Sequence, residues 1–393
     1  MKQELFDVVE RASTELNALA DYIYDCAECG CEEFKSQDAL CSYLETHEFK
    51  VERGIGGLKT AFHAVYKSLE GGVRIGLLCE YDALYGIGHA CGHHMQGPSA
   101  LGAAFALKKC LGGRYPFTLV VYGCPDEEGY ANGGKQVMIE NGCFNDIDLA
   151  LIMHGGTETT TDLRTLAAVR YDLNFSNPRD PLDKSCDSRA VDAMLAAFEG
   201  TEFLREHILD DARIHYTYWV NDRDTLNSCH AEYSVRAKTL PYFAEMKQRF
   251  LSVVNGAAKM MGASVTCISG REYLPKIPIQ TVVDSFYENA KLAGAERIEG
   301  ARKRVGSSDT ANVLFKVPGV GIRIAFAPKG TSAHSRDWLL LGKSESAHRA
   351  VIVGAKTMAG IAYDFIECPE KLERAREEHK RERARLMEIS ENS

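Results

Sequence analysis

The sequence predicts an α/β fold in two parts, a discontinuous larger domain carrying an inserted α+β domain. Three observations point there. Apolar strands alternate with helices toward both ends of the chain, the pattern of a sheet with a substantial parallel part. The middle breaks this rhythm with a β-α-β-β-α-β order. At 393 residues the chain is also too long for one ordinary core.

Leu5, Val8, Val9, Ala12, Leu16, Leu19, Ala20 and Ile23 recur at helical spacing, so the chain opens with an amphipathic helix. A second helix is expected over 38–47, then alternating strands over 60–67 and 73–80. Segment 97–109 is rich in Ala, Gly and Leu, the composition of a tightly packed helix. Phe117–Gly123 (FTLVVYG) is continuously apolar, as strands buried on both faces are. A helix near 135–141 precedes another such strand over 149–153.

From about Val169 to Gly270 the pattern gives a strand, then a helix over 187–204 and strands over 213–220 and 229–237. A helix over 242–261 and a strand over 263–269 complete this segment. That order is a ferredoxin-like split βαβ unit. After Pro278 the alternation resumes with a helix over 282–293, a Gly- and Ser-rich loop, and a strand over 319–327. The larger domain is therefore assigned 1–168 and 276–393, and the insert 169–275. Residues 369–388 read as a solvated charged helix, with Glu370–Arg374 and Glu377–Arg381 spaced to pair across one turn.

The net charge of −9, with no basic block outside the mixed tail, argues against a nucleic-acid partner. No apolar run reaches bilayer-spanning length. The N-terminus lacks the apolar core of a signal peptide, so no membrane association and a cytoplasmic location are expected. An odd count of 13 cysteines without a secretory signal favours free thiols over a disulfide framework. Cys26, Cys29 and Cys31 have no second compact pair with which to form a zinc knuckle.

Four segments carry chemistry, each at a predicted strand end or loop of the larger domain, where open α/β sheets bind ligands. In the first, Cys91 and His93 flank a glycine and can turn toward one cavity, and thiolate with imidazole suits zinc-like metals. Asp82 is placed to accept a proton from a ligand histidine. In the second, Glu127 and Glu128 follow the apolar strand. Such a pair permits a division of labour, one acid ligating metal and the other moving the proton of a metal-bound water. His154 ends the next buried strand, and His334 lies in the loop after the last one.

The segments YDALYGIGHACGHH, GCPDEEGYANGGK, LALIMHGG, SSDTANV and SAHS resemble the M20 metallopeptidases. Within that family they are most similar to the aminoacylase and aminobenzoyl-glutamate hydrolase branch, subfamily D. The resemblance implies a zinc-peptidase-like catalytic domain with an inserted lid and dimerisation domain, hence a homodimer through the lid. It implies two divalent metal ions, Zn or Mn with Co or Ni also suited, held by Cys91, His93, Glu128, His154 and His334. Cys91 falls where relatives bridge the two metals, Glu127 on the general acid/base, and Asp82 on the acid supporting the site. Asp309, within Ser308-Asp309-Thr310, falls near the substrate. The implied reaction is hydrolysis of a small amide: an N-acyl amino acid, an aminoacyl conjugate or a dipeptide.

Some positions depart from the family. The lid segment that usually carries a histidine reads Phe175-Ser176-Asn177-Pro178-Arg179-Asp180-Pro181. Arg179 is a candidate replacement, as are His207, His215 and His230. Asn227 matches a lid asparagine near the substrate, and Arg223 is a candidate for a substrate carboxylate. His94 replaces the acid or amide usual after CGH and stays outside the metal set. Glu80 lies where other branches place a ligand histidine and is read as structural. The alternatives are a metal-loaded binding protein without turnover and a hydrolase of carbamoyl or ureido compounds.

Overall fold

The computed structural model describes residues 1–129, 133–162, 165–177, 188–220, 228–302 and 306–388. The chain divides into two compact units: Met1–Arg164 with Lys276–Glu382, and Thr165–Pro275 with Arg383–Ser393.

The first unit is built on a seven-stranded sheet. Its strands are β1 (Lys50–Arg53), β2 (Phe62–Lys67), β3 (Val73–Cys79), β4 (Phe117–Gly123), β5 (Leu149–Gly156), β6 (Thr160–Thr161) and β11 (Gly319–Ala325). They lie in the order β1-β2-β4-β3-β5-β11-β6. The central β4, β3, β5 and β11 are mutually parallel, and the outer strands pair antiparallel. Every residue of β4 is buried, as expected for a parallel strand covered on both faces. Helices Gln96–Leu111 and Glu345–Glu367 pack on each other and on β5. The second of these is apolar over most of its surface, with buried residues on nearly every turn. No single helical stripe therefore marks it in the sequence.

The opening helix is two helices, Lys2–Arg11 and Ser13–Cys26, broken at Ala12 where ψ is 2°. The apolar spacing runs across the break because Val8, Val9 and Leu16 are all buried. β5 extends past Met153 to Gly156, since Gly155 and Gly156 pair with Ile324 and Ala325 of β11. His154 therefore sits inside a strand. The charged tail helix, Pro369–Met387, is not wholly solvated as expected. Leu372, Ala375 and His379 are buried, and His379 Nε2 lies 3.0 Å from the Leu314 carbonyl. Arg376 anchors this helix to Asp148 at 2.6 Å.

The second unit carries β7 (Ala167–Ser176), β8 (Arg213–Val220), β9 (Ser228–Ala237) and β10 (Ser264–Ser269), all antiparallel in the order β10-β7-β9-β8. Helices Arg189–Arg205 and Leu240–Met261 pack together beside this sheet. Tyr233 packs with tilted rings against Phe198 and Phe250, with ring centroids 5.7 and 4.8 Å away. Such pairs add about 0.5–1.5 kcal/mol each beyond area burial. Among the described residues no helix is long and apolar enough to cross a membrane.

Strand β11 sits tightly against β5: a Cβ added at Gly319 would lie 2.1 Å from the Ala150 carbonyl oxygen. Backbone cannot yield there as a side chain can, so Gly319→Ala should destabilise the protein by about 2 kcal/mol or more. A lowered urea midpoint at unchanged slope checks this.

Candidate metal centre

The parallel strands bring four segments to one edge of the sheet. β3 runs into Glu80–Asp82 and β4 into Cys124–Glu128, while His154 stands near the end of β5. Cys91 and His93 lie just before helix Gln96–Leu111, and His334 follows β11. The ligand atoms of Cys91, His93 and His154 lie within 4.8 Å of one another, and so do those of Cys91, Glu128 and His334. Cys91 belongs to both of these triads, and a third group, Glu80, His93 and Glu127, lies within the same distance. Its Sγ is 3.3 Å from His154 Nε2, and Glu128 Oε1 is 3.5 Å from His334 Nε2.

The donor set fits a pair of divalent metals. His93 Nε2 and Glu128 Oε1 are buried yet make no hydrogen bond, a state that costs energy unless something else engages them. Thiolate, imidazole and carboxylate together suit borderline-soft divalent ions.

Local backbone aims these groups. Gly92 has φ +92°, a conformation that turns Cys91 and His93 toward the same space. Asp126 and His334 have φ of 56° and 62°, a strained region for residues bearing a Cβ. Hydrogen bonds hold both in place. Asp126 N donates to Glu33 Oε1 at 2.8 Å, and His334 N donates to the Ala90 carbonyl at 2.9 Å. Asp82 connects two ligands: Oδ1 is 2.9 Å from His93 Nδ1, and Oδ2 accepts the Glu128 N–H at 2.9 Å. This fixes His93 with Nε2 facing the triad.

Glu127 lies beside the ligands, with Oε2 3.7 Å from His93 Nε2 and Oε1 accepting from Ser308 Oγ at 2.9 Å. Burial and the neighbouring Glu80 and Asp309 carboxylates push its pKa above the ordinary range. Burial and the Arg323 guanidinium lower that of His154, favouring the neutral imidazole a metal takes. Burial pushes the Cys91 thiol up to about 12.

Sequence reasoning missed Lys135, which is fully buried here. Its Nζ lies 2.6 Å from both Glu80 Oε1 and Asp309 Oδ1. Glu80 also accepts from Gln96 Nε2 at 2.7 Å and Thr310 Oγ1 at 3.1 Å. This carboxylate is structurally engaged, as read from the sequence, although Oε2 also comes within 3.3 Å of His93 Nε2. A lysine at a helix start normally reads as solvated; the glycines before it were the only cue to close packing.

Asp309, expected near the substrate, is buried and meets Lys135 through both oxygens: Oδ1 accepts from Nζ at 2.6 Å and Oδ2 accepts the Lys135 N–H at 3.1 Å. His94 belongs to neither triad: its Nε2 is 2.8 Å from the Gly342 carbonyl and its ring meets Tyr24 edge-on. Arg179, Arg223 and Asn227 lie outside the described residues. His207 follows helix Arg189–Arg205, while His215 and His230 stand on β8 and β9.

The model of peptidase family M20/M25/M40 matches residues 80–338, a span that contains all five expected ligands. The chain belongs to this family. It is accordingly a metallo-amidohydrolase, an enzyme acting on C–N bonds. It is 28% identical to a p-aminobenzoyl-glutamate hydrolase subunit of Escherichia coli, over 95% of this chain and 93% of that protein. It is also 28% identical to the Xaa-Arg dipeptidase of Mus musculus, over 97% of this chain and 92% of the relative. Among solved structures, an aminobenzoyl-glutamate utilization protein from Klebsiella pneumoniae superposes with a TM-score of 0.70 at 16% identity, covering 92% of this chain and 99% of that one. A dinuclear metal-binding M20 peptidase from Bacillus subtilis gives 0.67 at 18% identity, covering 91% and 99%. These two show the fold.

Lys135→Met would leave two buried carboxylates without their shared cation. Breaking a buried pair this way costs roughly 3–5 kcal/mol. Denaturant unfolding should show that loss, whereas Lys67→Met, at an exposed pair with Glu70, should shift stability by less than about 1 kcal/mol.

Proposed function

We propose that this enzyme hydrolyses the amide bond of an N-acyl amino acid, aminoacyl conjugate or dipeptide, using two divalent metal ions, Zn or Mn first among those suited. The observation that carries this is one buried thiol common to two triads, with Glu127 beside them. The names of the relatives, a p-aminobenzoyl-glutamate hydrolase and an Xaa-Arg dipeptidase, support the substrate class.

When bound, the metals polarise the scissile carbonyl and acidify a water. Cys91, His93, His154, Glu128 and His334 would hold them. Glu127 takes the proton of the attacking water at Oε2 and delivers it to the leaving amine. Ser308 donates to Oε1, which fixes the carboxylate plane for both transfers. Asp82 keeps His93 in the tautomer whose Nε2 carries a lone pair. No side chain needs to act as nucleophile, so Cys91 is a ligand and not an attacking thiol.

The second unit belongs to the same proposal as lid and dimerisation domain. Leu195 and Phe203 on helix Arg189–Arg205 are exposed, as an apolar contact face between two copies would be. A cytoplasmic location accords with the free state of the described cysteines.

The test is a hydrolysis panel on metal-loaded protein: N-acetyl amino acids, aminobenzoyl-glutamate, dipeptides and carbamoyl amino acids. Turnover should be confined to the first three classes. Glu127→Gln should lose about 10²-fold or more of it while retaining metal. Undiminished turnover in that variant removes the mechanism, and turnover of the carbamoyl compounds alone replaces the substrate class.

A further inference from the structure

Helix Phe34–Thr46 starts at Glu33, yet the Glu33 side chain does not cap it. Glu28 serves there instead, accepting the Lys35 and Ser36 N–H groups at 2.9 Å each and the Ser36 hydroxyl at 2.8 Å. The Glu33 carboxyl is thereby left for another use. It is fully buried: Oε1 accepts the Asp126 N–H and Oε2 accepts from Thr60 Oγ1, each at 2.8 Å. Burial and the Asp82 carboxylate push its pKa up to about 7, and what offsets them is hydrogen bonding from the backbone and Thr60, not a cation. A buried acid without a counter-charge is costly. Its use here is as an acceptor. Glu33 also stands outside the segment 80–338 that the family model matches.

Asp126 opens the turn that carries Glu127 and Glu128, and its φ of 56° is one that a side chain disfavours. Its Oδ2 accepts the Gly133 N–H at 3.0 Å, and its carbonyl accepts the Gly134 N–H at 3.1 Å. Gly30, in the loop before Glu33, packs so closely that an added Cβ would lie 2.1 Å from Asp126 Oδ1. The same loop reaches the other acidic segment, because the Glu28 carbonyl accepts the Ala83 N–H at 2.8 Å beside Asp82. One short loop, 28–33, therefore touches both acidic segments of the candidate metal centre.

We propose that Glu33 is a positioning residue for the acidic turn: it holds Asp126 in its left-handed conformation and so sets where Glu127 and Glu128 point. The reaction this serves rests on the hydrolase reading above; the hold on the turn does not. With the acceptor gone, the Asp126 N–H is left buried and unpaired, and the turn relaxes toward negative φ. Rotation at residue 126 carries both glutamates with it. A displacement of about 1 Å at a reacting group can cost ~10²-fold in rate.

The test compares Glu33→Met, Glu33→Gln and Gly30→Ala by amide hydrogen exchange, metal titration and steady-state turnover of the full-length protein. Glu33→Met should raise exchange over residues 124–129 about tenfold or more while β4 stays protected. It should weaken one of two metals, since Glu128 belongs to one triad only. Its kcat should fall about tenfold or more with KM within about twofold of wild type, the mark of an interaction needed in the transition state. Glu33→Gln keeps an oxygen for the Asp126 N–H and should restore all three. Gly30→Ala pushes on Asp126 while leaving Glu33 intact, and should give the same pattern if the methionine variant fails to fold. Unchanged exchange and metal affinity in Glu33→Met, or a loss that glutamine does not rescue, overturns the proposal. So does exchange that rises across the whole sheet, which marks a merely structural role. Faster exchange in the turn of a protein that hydrolyses no amide leaves the positioning standing and removes the hydrolase reading. Full turnover in Glu33→Met does the reverse.

Discussion

One buried sulfur has to face two triads of donors, and much of the larger unit is arranged around that requirement. Cys91 groups with His93 and His154 in one triad and with Glu128 and His334 in another. These residues come from four separate segments, so no local motif can assemble them. The parallel core of the sheet does, by ending β3, β4 and β5 along one edge. Close pairing of β11 with β5 then delivers both Arg323 and the loop bearing His334.

Gathering donors for cations also gathers like charges, and the fold answers this locally. Glu80, Asp82, Glu127, Glu128 and Asp309 crowd one region in which little water is available to screen them. Lys135 sits between Glu80 and Asp309 as their common counter-charge. Asp82 is engaged by His93 and by the Glu128 backbone. Glu127 has Oε1 held by Ser308 and Oε2 3.7 Å from His93 Nε2, and it is the acid whose proposed chemistry needs an oxygen facing the candidate ligands. Backbone strain at Asp126 and His334 belongs to the same arrangement, since both positions aim a functional group that relaxed geometry would misdirect.

Much of this was legible in the sequence. Continuous apolar runs located β4 and β5 to within a few residues, because burial on both faces leaves them apolar throughout, while β3 was read from its alternation. The candidate ligands Glu128 and His154 were legible because they stood at the ends of those same runs. The long helix Glu345–Glu367 was not, since a helix buried on nearly all sides has no polar face to set its period. Lys135 escaped for a related reason: a buried lysine looks like a surface one until its carboxylate partners, distant in sequence, are placed beside it. Arginines at 179 and 223 drew attention only through a likeness of segment.

The central claim is that Cys91 is common to both metal positions. Metal analysis of dialysed protein, comparing the wild type with Cys91→Ala and His334→Ala, tests it most directly. The account predicts two metals per chain in the wild type, loss of one in His334→Ala, and loss or marked weakening of both in Cys91→Ala. Two metals retained at undiminished affinity without the thiol would contradict it.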